Sequence, residues 1–575
     1  MLGPGDLWYK SAAIYAINVD TFRDADGDGV GDFSGLTSRV DYLHALGVTC
    51  VWLLPFYPSP NRDNRYDVAD YYGVDPRLGT LGDFVDFLRV ARERGIRVMI
   101  DLVVNHTSDQ HPWFQAARAD RASRYRDYYV WADEPPPNAR EGMVFPGVEE
   151  STWSYDDVAG AWYFHRFYRF QPDLNLANPA VREEIRKIMG FWLELGVSGF
   201  RLDAAPFLIE RKGVSAAVVE ARRPHTFFRY MRSFLSWRRG DAALLAEANV
   251  LPDEVEDYVG SGDKLQLLFN FYANQHLFLS LATGRAAPLV EALGALPALP
   301  PSAQWANFLR NHDELDLGRL TDDDRGACYD AFAPDVDMRL YGRGVRRRLA
   351  PMLGNDRARL ELAHSLMLAL PGTPVLRYGD EIGMGDDLSL PEREGVRTPM
   401  QWTRGPNGGF STAPPERLVR PMVTGEYGPD AVNVADQQRD PGSLLNWLQR
   451  ALGVRHGCPE IGWGSGRAIA VDVPSVVAIR CDWRTRHAAV VPTPVGEIGA
   501  PDGPSAVITL HNLAPEPCTV CLAASDVGPG EVTELLTDRD YGRAPDLRGE
   551  VALGPYGYRW FRIATGDDRS TGPGR

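Results

Sequence analysis

The sequence predicts an α/β protein built on a (β/α)8 TIM barrel, with a subdomain inserted after the third strand and a C-terminal antiparallel β-sandwich domain. Three observations support this fold class. Short apolar runs alternate with helical patterns along most of the chain, several of these runs end in charged side chains, and short β-type runs follow residue 463. Alternating strands and helices are typical of parallel sheets, whereas successive short strands are typical of antiparallel ones.

The barrel accounts for most of the first 462 residues. Its eight strands are predicted at residues 12–17, 51–56, 96–104, 197–203, 244–247, 267–271, 306–309 and 373–378, with helices at 36–46, 84–93, 180–195 and 356–370. The alternation stops between about residues 107 and 175, where Trp, Tyr, Pro and charged residues dominate. A stretch of this length without a crossover helix indicates a functional insertion with its own structure.

These patterns divide the chain into five segments. Residues 1–105 form the first part of the barrel, 106–175 the inserted subdomain, 176–462 the second part of the barrel, 463–566 the C-terminal β domain and 567–575 a polar tail.

Composition narrows the class of protein. The 575 residues are 44% hydrophobic and 24% charged, as is ordinary for a soluble globular protein. A formal net charge of -16 without Lys/Arg runs argues against nucleic acid as a partner. No signal-peptide pattern or membrane-span pattern is present, so we expect a cytoplasmic protein that binds no membrane. The six scattered cysteines, including the pair Cys518 and Cys521, are expected to be reduced thiols rather than a metal or redox site.

The most informative stretch is Gly199-Phe-Arg201-Leu-Asp203, in which a buried run ends in an arginine and an aspartate. In a β/α barrel this end of a strand faces the active site. We expect the arginine to keep the buried carboxylate ionised, because a guanidinium offsets the cost of desolvation, and an ionised carboxylate can act as a nucleophile. A structural ion pair is the alternative for one such pair taken alone.

Two further carboxylates, Glu247 and Asp313, follow predicted strands, and His106 and His312 end two strands. Acetal cleavage needs paired carboxylates, one to attack or stabilise the anomeric carbon and one to protonate the leaving oxygen. Three strand-end carboxylates together with histidines favour such chemistry over structural ion pairs. Aromatic residues expected around the mouth would offer flat faces to sugar rings: Trp52, Tyr57, Tyr66, Tyr71, Tyr72, Trp113, Trp162 and Tyr163.

An acidic loop follows the first strand. It places oxygen ligands at alternate positions of a glycine-bent segment, at Asp24, Asp26, Asp28, Val30 and Asp32. This arrangement suits a hard cation such as Ca²⁺. The loop lacks the distal glutamate and the flanking helices of an EF-hand, so the two interpretations are a lone calcium loop and a plain acidic turn.

Four motifs resemble the signature regions of glycoside hydrolase family 13, the α-amylase superfamily, in order and with suitable spacing. They are Asp101-Leu-Val-Val-Asn105-His106, Gly199-Phe-Arg201-Leu-Asp203, Ala246-Glu247-Ala-Asn249 and Asn311-His312-Asp313. The resemblance implies a retaining enzyme in which Asp203 is the nucleophile, Glu247 the general acid/base and Asp313 the stabiliser of the distorted −1 sugar. It also implies that Arg201, His106 and His312 contact that sugar or hold the nucleophile.

Further sugar-binding residues are implied by the same resemblance. Asp63, three residues before Tyr66, would join an arginine to close the −1 subsite while Tyr66 stacks on the sugar ring. Arg393 and Arg397 are both candidates for that arginine, and Gln171 would reach the same subsite.

Ca²⁺ is the implied cofactor, in one or two structural sites, and no organic cofactor is implied. One site would comprise Asn105, Asp173 and Glu210 with the backbone oxygens of Phe207 and Leu208, and the loop from Asp24 to Asp32 would be a second.

Within the superfamily the chain is most similar to the trehalose synthases, which interconvert maltose and trehalose. The similar stretches include residues 52–60, 105–114, 310–315 and 378–386. The resemblance implies a covalent β-glucosyl-enzyme on Asp203, small α-glucosides (maltose, trehalose and glucose) as partners, and allows a homo-oligomer. Arg65 stands where synthases tend to have Gly, Phe207 where they have Tyr, and the segment from Lys212 to Pro224 also departs from them.

Two other functions remain open, and these departures bear on the first of them because they concern the acceptor and therefore the product. The first is an α-glucosidase, hydrolytic or transglucosylating, that acts on maltose, trehalose or sucrose. The second is a carbohydrate-binding or regulatory barrel without catalysis, against which the complete set of carboxylates argues.

Overall fold

A computed structural model describes residues 4–210, 212–213, 226–483, 490–493, 496–499, 504–542 and 545–564. The tail predicted at residues 567–575 lies outside these residues, as do residues 214–224 of the segment that departs from the synthases.

Eight parallel strands close into a barrel, which confirms the predicted fold class. In chain order they are β1 (Ile14–Ile17), β2 (Cys50–Leu53), β3 (Arg97–Leu102), β4 (Gly199–Leu202), β5 (Ala243–Ala246), β6 (Leu267–Phe269), β7 (Gln304–Phe308) and β8 (Thr373–Arg377). Each strand pairs with its neighbours in the sequence order of the barrel, and β8 pairs with β1 to close it. The carboxyl ends of all eight strands therefore meet at one mouth.

Helices surround the barrel and return the chain from one strand to the next. Those between strands include Phe33–Thr37, Val40–Leu46, Leu81–Glu93, Pro179–Leu195, Thr226–Arg238, Val255–Val259, Phe271–Thr283, Ala287–Ala295, Asp322–Phe332, Leu349–Met352 and Arg357–Ala369, and Val434–Arg439, Leu444–His456 and Pro459–Trp463 follow β8. Their ends are fixed locally. Thr80 and Asp83 form a reciprocal capping box before Leu81–Glu93, and Gly196 ends Pro179–Leu195 at a φ of 116°, which favours glycine.

Between β3 and β4 the chain forms a small antiparallel sheet rather than a crossover of the usual length. Its strands are Trp131–Ala132, Ala161–Phe164 and Trp153–Asp156, and the short helix Pro112–Ala119 packs beside them. Phe114 stacks on Trp131, with the ring centroids 5.6 Å apart, and meets Tyr163 edge-on at 5.2 Å. The aromatic residues of this segment thus build its own core.

The C-terminal domain is antiparallel, as predicted. Its main sheet contains Ser465–Ala468, Val476–Trp483, Ser505–Asn512, Tyr558–Ala564 and Glu531–Thr537, and two strand pairs join Val490–Thr493 to Gly496–Gly499 and Cys518–Cys521 to Glu550–Leu553. The sequence patterns did not predict the strands at 496–499, 531–537 and 550–553, because glycine or alternating glutamate obscures their apolar content. All six cysteines are free thiols, as expected.

Two apolar layers hold the catalytic domain together. Side chains inside the barrel, among them Trp52, Met99, Leu245 and Phe308, form one buried cluster, and the outer faces of the strands pack against the helices in a larger one. Within the described part of the chain, no helix combines the length and the apolar composition that crossing a membrane requires.

Candidate active site

Charged side chains from neighbouring strands converge at the carboxyl end of the barrel. Asp101 of β3 lies opposite Arg201 of β4 in the strand register, Asp203 directly follows β4, and Glu247 directly follows β5. Ala204 then turns the chain sharply with a φ of 48°, and its N–H donates to Glu247 Oε2 at 3.0 Å. The turn that follows the predicted nucleophile therefore also orients the predicted acid.

Arg201 is the centre of this group and is 1% exposed. Its Nη1 donates to Asp203 Oδ1 at 2.5 Å and to Asp101 Oδ1 at 2.6 Å, and its Nη2 pairs with Glu247 Oε1 at 2.7 Å. One planar guanidinium thus holds the two predicted catalytic carboxylates close together, as a retaining mechanism requires. Asp101 begins one of the family motifs but was not predicted as a site residue. Its place near the end of a strand could have identified it.

Burial and the shared guanidinium have opposite effects on the pKa values of these carboxylates. Burial raises the pKa of Asp203 to about 7, with Arg201 opposing the rise and Asp101 adding to it. Burial also raises the pKa of Glu247 to about 7, and the pKa of Asp101 to about 6. Arg201 lowers the pKa of Asp203, in the expected direction, but burial and the neighbouring Asp101 raise this pKa by more. A pair that shares a proton near neutral pH supplies both an ionised nucleophile and a protonated acid.

Asp313 differs from the other two carboxylates. Burial alone would raise its pKa, but contacts with His312, Arg393 and Arg397 hold the pKa well below its usual range. His312 Nε2 lies 3.0 Å from Asp313 Oδ2, while Arg393 Nη1 and Arg397 Nη2 lie 2.7 and 2.8 Å from Oδ1. Asp313 is therefore a permanent anion that can accept hydrogen bonds from a sugar.

The two candidate arginines have different partners. Arg393 Nη2 pairs with Asp63 Oδ1 at 3.0 Å, so this one side chain links Asp63 to Asp313. Arg397 is 1% exposed and donates through Nε to the backbone oxygen of His312 at 2.8 Å. Arg393 is thus the arginine that joins Asp63, whereas the buried Arg397 contacts Asp313 and the backbone of His312.

The remaining predicted sugar-binding residues lie around the same group. Tyr66 stacks on His312 with the ring planes 9° apart, and its hydroxyl lies 2.8 Å from His312 Nε2. His106 Nε2 lies 3.1 Å from the backbone oxygen of Tyr66, and burial lowers the pKa of this histidine to about 4. Gln171 donates to Asp63 Oδ2 at 3.0 Å and therefore orients Asp63.

These residues face a cavity of about 770 Å³ at the barrel mouth. Of the eight aromatic residues proposed to face a sugar, Tyr66 is the one that lines it; Trp52 and Tyr57 instead hydrogen-bond Asp101 from below. Four phenylalanines, Phe145, Phe167, Phe207 and Phe271, are part of the apolar lining, which also includes Met143, Val144 and Pro206. Polar groups at Asn249, Asp316, Arg319 and Arg343 also line the cavity.

Loops from three parts of the chain meet beside Arg393. Phe145 packs on Tyr168 with a ring-centroid distance of 4.6 Å and on Tyr341 at 4.9 Å. The Tyr168 hydroxyl donates to Glu392 Oε2 at 2.8 Å, and the Tyr341 hydroxyl lies 3.4 Å from the same oxygen. We call these four side chains the aromatic clamp, since they join the inserted subdomain to the loops after β7 and β8. No sequence pattern predicted the clamp.

One departure from the synthases has a structural explanation. Arg65 is buried away from the cavity, where it pairs with Asp20 at 2.8 Å and Asp75 at 2.9 Å. Its φ is 66°, a conformation that favours glycine. The backbone therefore explains a glycine in relatives, and the two aspartates explain how an arginine is stabilised here. Phe207, the other departure, lines the cavity directly.

The residues of the first implied calcium site have other partners. Asn105 and Asp173 lie together, with Asn105 Nδ2 3.2 Å from Asp173 Oδ2, but Lys212 Nζ hydrogen-bonds both Asn105 Oδ1 and Asp173 Oδ2. Glu210 pairs with Arg166 at 2.5 Å. Phe207 and Leu208 lie in the short helix Ala205–Leu208 after β4. This donor set does not fit Ca²⁺, which takes six to eight oxygen ligands.

The acidic loop has a different character. Carboxylate oxygens of Asp24, Asp26 and Asp28 lie within 4.8 Å of one another. Asp24 is buried and accepts from the N–H groups of Gly27 and Gly29, while Asp32 caps the helix Phe33–Thr37 by accepting from Gly35 N. Val30 N donates to Asp28 Oδ1 at 2.7 Å. Three clustered carboxylates on a preformed loop fit a hard cation.

Comparisons with known proteins agree with this geometry. A sequence profile of the α-amylase catalytic domain matches residues 16–333 and 345–464, and a profile of the sucrose hydrolase-like C-terminal domain matches residues 505–562. The trehalose synthase/amylase TreS of Mycobacterium tuberculosis is 42% identical over 571 residues, 98% of this chain and 91% of that protein.

Two further relatives extend these comparisons. The trehalose synthase of Pimelobacter is 39% identical and covers 99% of this chain and 98% of its own length. The crystal structure of an α-amylase from H. orenii superposes with a TM-score of 0.75 at 27% identity, covering 96% of this chain and all of that one (100%). The profile match over most of the chain, together with relatives this similar along its length, shows that the chain belongs to the α-amylase family, glycoside hydrolase family 13.

Proposed function

We propose that this protein is a trehalose synthase, a retaining enzyme that interconverts maltose and trehalose by transferring a glucosyl group within its closed site. The observation that carries the proposal is the arrangement around Arg201, which holds Asp203 and Glu247 on its two terminal nitrogens. The relatives named trehalose synthase support the choice of substrate.

In the first step the glycosidic bond of maltose breaks. Glu247, whose raised pKa of about 7 keeps a proton available, protonates the glycosidic oxygen, while Asp203 attacks the anomeric carbon. The products are a β-glucosyl ester on Asp203 and a glucose molecule. Asp313, held ionised by Arg393 and Arg397, stabilises positive charge on the sugar ring in the transition state.

In the second step Glu247, now ionised, removes a proton from the attacking hydroxyl. If the anomeric hydroxyl of the retained glucose attacks, the ester breaks and trehalose forms; if water attacks, glucose is released instead. The partition depends on excluding water and on keeping the freed glucose in place. The aromatic clamp supports retention, and a cavity of about 770 Å³ is large enough for a disaccharide.

The second candidate function is an α-glucosidase that hydrolyses maltose, trehalose or sucrose. Phe207 favours it, because a phenylalanine in the cavity wall lacks the hydroxyl that the synthases provide at this position. Loss of one hydrogen bond to a second sugar would let that sugar leave before the ester is transferred.

Incubation with maltose distinguishes the candidates. We expect trehalose to exceed released glucose throughout the reaction, and free isotopically labelled glucose to enter the trehalose only slightly. Glucose as the main product would contradict the synthase assignment and support the glucosidase. Absence of turnover on maltose, trehalose and sucrose would instead indicate a non-catalytic carbohydrate-binding barrel. Asp203→Asn serves as the inactive control.

We also propose that the loop from Asp24 to Asp32 binds one structural Ca²⁺ ion. Burial and the carboxylates of Asp26 and Asp24 raise the pKa of Asp28, and a cation would relieve this repulsion. Calcium should therefore raise the melting temperature relative to EDTA, since a ligand that binds only the folded state stabilises it. The double variant Asp26→Asn/Asp28→Asn should lose this shift; an equal shift in the variant would contradict the assignment.

A further inference from the structure

We infer that the ammonium group of Lys212 takes the place of a structural metal ion at the junction between the barrel and the inserted subdomain. Lys212 Nζ donates to Asp173 Oδ2 at 2.6 Å and also to Asn105 Oδ1. These oxygens belong to two of the residues implied as calcium ligands by the family resemblance. The cation that joins them is therefore part of the polypeptide.

Both partners of this ion pair are buried. The side chains of Lys212 and Asp173 are 3% and 0% exposed. A buried ammonium is stable only when its charge and its N–H groups are partnered. Asp173 is fully engaged as well, because its Oδ1 accepts from Arg166 N at 2.8 Å and its Oδ2 accepts from Asn105 Nδ2 at 3.2 Å. Asp173 therefore keeps few lone pairs for a metal.

Charge balance leads to the same conclusion. A divalent ion at this place would be neutralised by the two carboxylates of Asp173 and Glu210. In this chain each of them has its own monovalent partner, Lys212 for Asp173 and Arg166 for Glu210 at 2.5 Å. The local charges already sum to zero, so a Ca²⁺ ion would add two uncompensated positive charges to a buried site, at a high desolvation cost.

The position of Lys212 explains what the interaction does. Asn105 follows β3, Asp173 lies at the end of the inserted segment, and Lys212 comes from the connection after β4. Leu174 N donates to Asn105 O at 2.8 Å, and His106, which lines the cavity, forms a β-bridge with Asp173. Lys212 thus fastens the inserted subdomain to the barrel beside the sugar site, without a metal.

Metal content and stability test this inference in the full-length protein. The Asp26→Asn/Asp28→Asn variant removes the acidic loop as a competing site and serves as the background. After equilibration with excess Ca²⁺ and gel filtration, we expect this background to carry no calcium by mass spectrometry and to melt at the same temperature in Ca²⁺ and in EDTA.

Two substitutions of Lys212 in that background complete the test. Lys212→Ala removes the ammonium and leaves space, so it should gain one calcium per chain and show a melting temperature that Ca²⁺ raises. Lys212→Met also removes the charge but fills the space, so it should be destabilised and not rescued by Ca²⁺. An alanine variant that folds only when Ca²⁺ is supplied would support the inference equally.

Two results would overturn it. The first is that the background protein, with Lys212 intact, binds one calcium per chain and loses this calcium when the substitution Asn105→Ala is added. The second is a set of Lys212 variants that melt like the background in both Ca²⁺ and EDTA. The metal content of the background decides the question even if neither Lys212 variant can be purified.

Discussion

Arg393 is the residue whose removal tests the sugar site most directly. Among the residues that the structure describes, it is the one side chain that bonds both Asp63 and Asp313, at 3.0 and 2.7 Å, and its own side chain is 12% exposed. Arg393→Met keeps the length and removes the charge. Truncating one partner of a buried, hydrogen-bonded ion pair costs about 2–5 kcal/mol. Arg397 still contacts Asp313, so the loss falls mainly on Asp63, and we take a value of about 3 kcal/mol within that range.

We expect this loss to appear in transition-state binding, because Arg393 positions Asp63 and Asp313 toward the sugar. A loss of about 3 kcal/mol there corresponds to a roughly hundred-fold fall in kcat/KM, at about 1.4 kcal/mol for each factor of ten. The assay is initial rate against maltose and against an aryl α-glucoside, with the melting temperature measured in parallel. Arg347→Met is the matched control, because Arg347 forms an ion pair of similar burial with Asp386 at 3.0 Å but does not line the cavity. A value of kcat/KM for Arg393→Met close to that of Arg347→Met would refute the role assigned to Arg393.

Three other predictions concern the reacting groups and the clamp. Asp203→Asn should abolish turnover while the circular dichroism spectrum and melting temperature persist; near-normal activity would remove Asp203 from the mechanism. The first step needs a protonated Glu247 and an ionised Asp203, and each has a pKa raised to about 7. We therefore expect kcat/KM to fall on both sides of neutral pH. A flat pH profile would contradict this. Tyr168→Phe breaks the 2.8 Å bond with Glu392, worth about 1 kcal/mol, and should raise the glucose share of the products about five-fold. Tyr341→Phe, with its hydroxyl at 3.4 Å, is the matched control and should change the share less.

The ratio of positive to negative side chains explains the pKa values in this site. Arg201 is a single cation among Asp101, Asp203 and Glu247, so the group binds a proton more readily than an isolated aspartate–arginine pair would. Asp313 is in the opposite situation, because two guanidiniums contact its Oδ1 and, together with His312, hold its pKa low. The same residue type thus has a raised pKa at one position and is a permanent anion at the other.

The sequence by itself determined the barrel and the place of the reacting carboxylates. Apolar runs that end in Arg201 and Asp203, in Glu247 or in Asp313 are local patterns, and a parallel barrel brings every such strand end to one mouth. The antiparallel C-terminal domain was likewise predictable from short alternating runs, although half-exposed strands such as Glu531–Thr537 were not.

The tertiary structure alone decided which of these side chains are partners. Asp63 and Arg393 are 330 positions apart, Asp101 and Arg201 are 100 apart, and Asn105 and Lys212 are 107 apart. No local pattern distinguishes Arg393 from Arg397 or reveals an ammonium between Asn105 and Asp173. Ionisation and cation binding depend on burial and on the net charge within a few ångströms, and both are properties of the folded chain rather than of neighbouring letters.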